Sequence, residues 1–214
     1  MIKVIIFDFD GVLFDSVSVK TKAFYEMFKP YGENIGRMVT EHHLANGGVS
    51  RFEKLRIYYG DFLKQQVTED FILEKAAEFS GLVVDKVVES PWIPGAYEFL
   101  CQNCDKYFFF IVSGTPEDEL LGIVDRKEIT RFFKGIYGSP KNKKENIQRI
   151  IELHKFNTDQ MVFIGDAGTD YEAAKGSGLS FVGVGDYFRD FENVISIKDL
   201  TSLEFVLKQL RPIR

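Results

Sequence analysis

Three short apolar runs limit most tightly what this chain can fold into: Val4–Phe7 (Val-Ile-Ile-Phe), Tyr107–Val112 and Met161–Ile164. Each is rich in β-branched or aromatic residues and none alternates with polar ones, the signature of strands buried on both faces. Helical stretches separate them, the strongest being Lys143–His154 with Ile147, Ile150, Ile151 and Leu153 at amphipathic spacing. Gly135–Gly138, Ser180–Val184 and Asn193–Ile197 read as further strands. Ala96–Asn103, Glu117–Arg126, Ile129–Phe133, Tyr171–Lys175 and Ser202–Leu210 read as helices. Strands alternating with helices predict an α/β fold, a Rossmann-like parallel sheet with helices on both faces.

The three apolar runs all stop at polar or acidic clusters: Asp8 and Asp10, Ser113 and Thr115, Asp166 and Asp170. In open α/β sheets ligands bind outside the carboxyl ends of the strands, so all three clusters are expected at one place. Asp8 and Asp10 lie two apart and, in extended backbone, face the same side. Carboxylates held together repel, and a cation or a shared proton must offset that. Gly11 permits a sharp turn after them. Taken alone, Asp8–Gly11 also reads as a plain turn that uses Asp and Gly for their backbone tolerance.

From Val17 to about Glu89 the character is helical, and no strand is expected there. Ala23, Phe24, Met27 and Phe28 fall at helical spacing, and Pro30-Tyr31-Gly32 ends that stretch. Asn34–Leu44 predicts a second helix, broken by Asn46-Gly47-Gly48. Ser50 and Thr68 are expected N-caps of a third and a fourth. Pro91-Trp92-Ile93-Pro94-Gly95 is a stiff return link.

With 214 residues the chain suits one medium domain or a core plus a small insert. Its net charge of −5 argues against a non-specific nucleic-acid binder. No apolar run approaches the ~20 residues that span a bilayer. The first strand begins too early for a signal peptide, so a cytoplasmic location is expected. Cys101 and Cys104 read as two reduced thiols, since no second ligand pair or thioredoxin-like setting accompanies them. His42 and His43, adjacent on a helix, point apart and are read as structural, as is His154.

Asp8-Phe9-Asp10-Gly11-Val12-Leu13 after an apolar strand resembles the first motif of the haloacid dehalogenase (HAD) superfamily of phosphohydrolases. Val112-Ser113-Gly114-Thr115 resembles its second motif and Gly138-Ser-Pro-Lys141-Asn-Lys143-Lys144 its third. Phe163-Ile-Gly-Asp166-Ala-Gly-Thr-Asp170 resembles its fourth. The four occur in family order across nearly the whole chain. The resemblance implies Asp8 as nucleophile and Asp10 as general acid/base. Ser113, Gly114 and Thr115 would bind phosphate. One lysine, Lys143 with Lys141 in reserve, would screen the nucleophile and the phosphate. Mg²⁺ would sit on Asp8, the main-chain carbonyl of Asp10, Asp166 and Asp170. Carboxylates at a strand end suit that hard cation, and an ionised carboxylate attacks phosphorus without a base to activate it.

The helical stretch resembles the cap module of the phosphoglycolate phosphatase/β-phosphoglucomutase-like subclass. That implies a catalytic core of residues 1–15 and 91–214 and a small all-helical cap of residues 16–90. Gly47–Lys54 resembles a cap loop, which assigns Gly48, Arg51 and Lys54 to the substrate. The implied activity is a Mg²⁺-dependent phosphomonoesterase that acts on a small phosphorylated metabolite through an aspartyl phosphate, as a monomer or homodimer without nucleic acid or membrane. Asp10 favours phosphoryl transfer over dehalogenation, because an ester leaving group needs a proton. A sugar-phosphate mutase and a non-catalytic ligand- or partner-binding member remain open.

Overall fold

The computed structural model describes residues 1–210. Six parallel strands form one sheet: β1 (Val4–Phe7), β2 (Phe108–Pro116), β3 (Phe133–Ser139), β4 (Met161–Gly165), β5 (Ser180–Val184) and β6 (Ile195–Ile197). Their order is β3-β2-β1-β4-β5-β6. β1 pairs with β2 through Val4–Phe108 to Phe7–Ile111 and with β4 through Val4–Met161 to Phe7–Ile164. The chain winds outward to β3, returns, and lays β4 on the other side of β1. The sheet therefore changes winding direction between β1 and β4, which opens a crevice at their carboxyl ends.

Alternating side chains explain why the apolar runs lack polar residues. Ile5, Phe7, Phe109, Ile111, Val162 and Ile164 belong to one core layer; Val4, Ile6, Phe110, Val112, Met161 and Phe163 belong to the other. On the first face α5 (Ala96–Asn103), α6 (Glu117–Arg126) and α9 (Leu203–Gln209) supply Phe99, Leu120 and Leu203. On the second, α7 (Lys143–His154) and α8 (Gly168–Gly176) supply Ile147, Ile150 and Ala174. Helices cover both faces of the central strands, so β1, β4 and the Phe109–Val112 stretch of β2 are apolar at every position.

Residues 17–89 hold helices joined by short loops and no strand. α1 (Val17–Phe28), α2 (Glu33–Ala45), α3 (Arg51–Arg56) and α4 (Glu69–Glu89) pack around Phe24, Phe28, Tyr58 and Phe79. Ser50 and Thr68 cap α3 and α4 by accepting the N–H groups of Glu53 and Phe71. α3 continues into a π-helical turn over Ile57–Phe62, which the sequence pattern does not signal. The two strands of chain leading into and out of this segment run together. Ile93 N–H donates to Leu13 O (2.9 Å) and Asp15 N–H to Pro91 O (3.0 Å). Trp92 packs on Phe14 with ring centroids 4.2 Å apart.

Several boundaries differ from the sequence expectation. β2 runs on through Ser113 to Pro116 with a register shift against β3. β6 starts at Ile195 because Asn193 stands at φ 69°, outside strand geometry. Ile129–Phe133 shortens to a 3₁₀ turn over Thr130–Phe132, since Phe133 already pairs in β3. α8 starts at Gly168, so Thr169 and Asp170 lie inside its first turn; Asp170 reaches back to accept the Ala167 N–H (3.0 Å).

Candidate active site

At the end of β1, Gly11 adopts φ 76°, which turns the chain so that Asp8 and Asp10 face one cavity of about 280 Å³. A Cβ on Gly11 would fall well inside contact distance of the Asp166 carboxylate, so the small residue also brings β1 and β4 close. Asp8 Oδ1 accepts the Phe9 N–H (2.6 Å) and Oδ2 accepts Lys143 Nζ (2.8 Å). Lys143 also donates to Asp170, and both carboxylates in this trio are buried. Its position follows from the helix start. Asn142 and Glu145 cap α7 reciprocally, Asn142 Oδ1 accepting the Glu145 N–H (2.9 Å) and Glu145 Oε2 accepting the Asn142 N–H (2.8 Å). That makes Lys143 the first helical residue, leaning back over the end of the helix toward Asp8. Lys141, two residues earlier, is exposed in the loop.

Asp10 has different company. Its Oδ1 accepts Ser16 Oγ (2.5 Å), and its Oδ2 accepts Lys20 Nζ and, at 3.3 Å, Thr115 Oγ1. Lys20 also donates to Thr115 Oγ1 (2.7 Å), while the buried Ser113 Oγ accepts the Thr115 N–H (3.2 Å). The electrostatics follow these contacts. Burial pushes Asp8 up to about 7, with Lys143 opposing and Asp170 and Asp10 adding to the rise. Burial, then Asp8 and Asp170, raise Asp166 well above the ordinary carboxylate range. Desolvation pushes the half-buried Asp10 up as well, yet Lys20 and Ser16 outweigh that and hold its carboxyl low. Lys143 is held protonated: Asp170 and Asp8 overcome its desolvation.

Oxygens of Asp8, Asp166 and Asp170 lie within 4.8 Å of one another. One shared lysine leaves that trio with surplus negative charge in a buried place. Such an all-oxygen donor set fits a hard divalent cation.

The helical segment contributes the opposite wall. Gly48 at φ 74° presses on the sheet's loops: a Cβ there would collide with Thr169 Oγ1 and stand 2.9 Å from Lys143 Nζ. Thr169 Oγ1 donates to Gly47 O (2.8 Å), and a Cβ on Gly114 would meet Gly48 O. Arg51 lines the cavity, but its fork is taken. Nη1 and Nη2 donate to both carboxylate oxygens of Glu119 on α6, Nη1 at 2.7 Å, and Nη1 donates to Ser80 Oγ at 2.6 Å. The guanidinium expected on substrate instead clasps the helical segment to α6, because a buried carboxylate already offers it bidentate geometry. Lys54 Nζ, 2% exposed by residue, donates to His43 Nδ1 (2.9 Å). Burial, then Lys20 and Lys143, lower Lys54 to about 7; burial and Lys54 lower His43 to about 3.

Asp8, Asp10, Ser113, Gly114, Thr115, Asp166, Gly48, Arg51 and Lys54 thus border one cavity. Lys143 and Asp170 stand behind it, and Lys141 borders a neighbouring hollow. Lys20, His43 and Glu119 were not among the expected site residues. Lys20 had a readable signal, since it falls on the apolar stripe of α1 with Phe24 and Met27. His43 likewise continues the stripe of Gly36 and Val39 on α2. Nothing local marks Glu119, one of three acids in the first turn of α6. Cys101 and Cys104 are free and exposed.

The model of the haloacid dehalogenase-like hydrolase family matches residues 2–178. The chain is 26% identical over 181 residues to the phosphorylated carbohydrates phosphatase of Thermotoga maritima, covering 82% of this chain and 81% of that one. It is 23% identical over 192 residues to the phosphoglycolate phosphatase of Pseudomonas putida, covering 85% and 69%. The crystal structure of β-phosphoglucomutase from Clostridium difficile superposes with a TM-score of 0.77 at 19% identity, over 98% of this chain and 96% of that one, a likeness of fold.

Proposed function

The chain belongs to the haloacid dehalogenase-like hydrolases, and from that premise we propose that it is a Mg²⁺-dependent phosphomonoesterase that works through an aspartyl phosphate on Asp8. The observation that carries the reading is the division of labour between two aspartates on one cavity, Asp8 buried and Asp10 half-buried. Asp8 sits with Lys143, Asp166 and Asp170, and Asp10 sits apart with Lys20 and Ser16.

Asp8, Asp166 and Asp170 would hold the cation, with the Asp10 carbonyl completing the set. Bound there, Mg²⁺ would neutralise phosphate charge and keep Asp8 ionised. Asp8 attacks phosphorus through a carboxylate oxygen while the ester P–O bond breaks, and Asp10 protonates the departing alkoxide. Asp10 then takes a proton from water, whose oxygen attacks the acyl phosphate and frees both phosphate and Asp8. Lys143 screens the approach of one anion to another. Ser113, the backbone around Gly114 and Thr115 hold the phosphate oxygens. Lys20 and Ser16 favour ionised Asp10, the form the second half-reaction needs, so their contact must loosen when Asp10 carries the proton.

Residues 16–90 act as a cap on a core of residues 1–15 and 91–214, hinged where Leu13–Asp15 lies against Pro91–Ile93. Cap closure excludes water from the first step. Relatives named for phosphoglycolate and for phosphorylated carbohydrates support a small phosphorylated metabolite as substrate. The enzyme would work in the cytoplasm, as a monomer or homodimer. A mutase would have to grip a second phosphoryl group, and the Arg51 fork suited to one is held by Glu119. Labelled phosphate appearing in an isomeric product rather than in solution would mark a mutase.

The test is phosphate release from a generic aryl phosphate, with Mg²⁺ and with chelator. Turnover that survives chelation, or full activity in Asp8→Asn, overturns the mechanism. Turnover of any phosphomonoester rules out a purely binding role.

A further inference from the structure

Half-buried at the carboxyl end of α6, Lys127 turns its ammonium inward. Nζ stands 3.7 Å from the centroid of the Phe14 ring and donates to Ser90 O at 2.9 Å. The two contacts lie on different crossings of the hinge. Phe14 belongs to the chain that leaves the core, and Ser90 follows α4 on the chain that returns. One core side chain therefore holds both. The charged residues nearest in sequence to its contacts (Asp15, Lys86, Glu89) and to itself (Asp125, Arg126, Glu128) form no ion pair with it among the described residues. Burial alone lowers its ammonium to about 8. Phe14 leads from that ammonium to the site. Its ring packs on Phe9 (5.0 Å between centroids) and on Trp92 (4.2 Å). Its carbonyl accepts the N–H groups of Gly11 (2.8 Å) and Ser16 (3.0 Å), and Ser16 Oγ donates to Asp10. The turn that presents Asp10 and the hydroxyl that orients its carboxylate thus both hang from Phe14.

We propose that Lys127 is a positioning residue for the reaction: by pinning Phe14 and Ser90 to α6 it fixes the hinge in the geometry that aims Asp10 at the leaving group. The inference rests on the phosphatase reading above and adds to it a residue that borders no part of the cavity. An ammonium is drawn to the face of an aromatic ring by the ring's quadrupole, and the pull grows as water is excluded. The neutral amine has no such attraction, so the pin holds only while Lys127 is charged. Misplacing Asp10 slows the ester most where the leaving oxygen needs its proton. An alkoxide needs that proton; a nitrophenolate departs without it.

Two measurements test it on the full chain, one without turnover. Trp92 is the only tryptophan and packs on Phe14, so its emission reports the hinge. Between pH 6 and 9 the wild-type emission should step with a midpoint near that of Lys127, about 8. Lys127→Met, which keeps the stem without the charge, should lose the step and match the high-pH wild type. Lys127→Arg, whose guanidinium stays charged, should lose it too and match the low-pH form. Tyr97, which also packs on Trp92, is common to all three proteins and cancels in the comparison. In the second measurement, kcat/KM for glycerol phosphate should fall about tenfold to a hundredfold in Lys127→Met at pH 7, and that for p-nitrophenyl phosphate by no more than about threefold. Lys127→Arg should bring glycerol phosphate back to within about threefold of wild type. A flat wild-type emission, or a step that persists in Lys127→Met, overturns the pin. Unchanged kinetics in Lys127→Met, or equal losses on both esters, overturn its link to Asp10. Absence of turnover in the Mg²⁺-loaded wild-type protein strikes the phosphatase reading instead, and the Trp92 step still decides whether Lys127 holds the hinge.

Discussion

The wall that the sheet presents to the cavity and the wall that the helical segment presents differ in sign. Among the described residues the sheet side of the cavity brings Asp8, Asp10 and Asp166 and no basic residue, and the helical side brings Lys20, His43, Arg51 and Lys54 and no acid. The strand ends gather acids because a parallel sheet directs all its carboxyl ends to one edge. The helical wall gathers cations from α1, α2 and α3, which meet only through tertiary packing. The difference teaches that neither wall is electrostatically satisfied alone. Part of the mismatch is used to hold the walls together, through Lys20–Asp10 and Arg51–Glu119. Asp166, beside Asp8 and Asp170, and Lys54, which among the described residues pairs with no acid, take no part in that contact.

The comparison breaks most decisively at Asp8. If Asp8 is the nucleophile proposed above, Asp8→Asn should lower kcat by about 10³-fold or more, since an amide cannot attack in its place. Phosphate release measures it, and near wild-type turnover would mean that the acid wall is not the reactive one.

Next in size is the clasp between the walls. Arg51→Gln strands the Glu119 carboxylate, whose side chain is 8% exposed, and should cost about 3 kcal/mol. Thermal melting should fall by roughly 6–12 °C. The double change Arg51→Met with Glu119→Leu should recover most of that loss, because it removes both charges together. A double variant as unstable as the single one would show that the pair does not act as a clasp.

Gly48→Ala tests how closely the walls must approach. The added methyl meets Thr169 and Lys143, so kcat/KM should drop about tenfold to a hundredfold through misplacement of the facing groups. Gly81→Ala, on α4 with open space around it, is the matched control and should stabilise by about 0.5–1 kcal/mol. Equal kinetics for the two variants would separate catalysis from this contact.

The smallest effect is a pH slope. Lys54 is lowered from 10.5 to about 7 in the folded protein, so between those values the unfolded chain binds more protons. Ligand-free stability should therefore rise as pH climbs above about 7, by no more than about 1.4 kcal/mol per unit. Lys54→Met should flatten that rise, measured by denaturant unfolding between pH 7 and 9 without anionic buffer. Lys127, also lowered by burial to about 8, contributes equally to both proteins and cancels in the difference.

Much of the acid wall was legible in the chain. Val4–Phe7, Tyr107–Val112 and Met161–Ile164 announce their strands by local composition. The acids follow each run immediately, so strand topology alone brings them together. The same holds for the N-caps Ser50 and Thr68, which are decisions made within four residues. The choice between Lys141 and Lys143 was of another kind. Both follow β3 within four residues, and only the reciprocal Asn142–Glu145 cap, by starting α7 at residue 143, turns one toward Asp8 and leaves the other in solvent.

Local residue order fixes the alternation of strand and helix, the helical segment after the first strand and the acids at the strand ends. All of these are set by periodicity and by residues next to one another. Which cation meets which anion depends on how the folded elements pack: Lys143 with Asp8 and Asp170, Lys20 with Asp10, Arg51 with Glu119, and, among the described residues, Lys54 with none. Such pairings join positions up to 135 residues apart. A charged side chain does not specify its partner through local spacing. The pairing emerges when packing of the apolar faces fixes the distance between walls, and with it the depth at which each charge is buried.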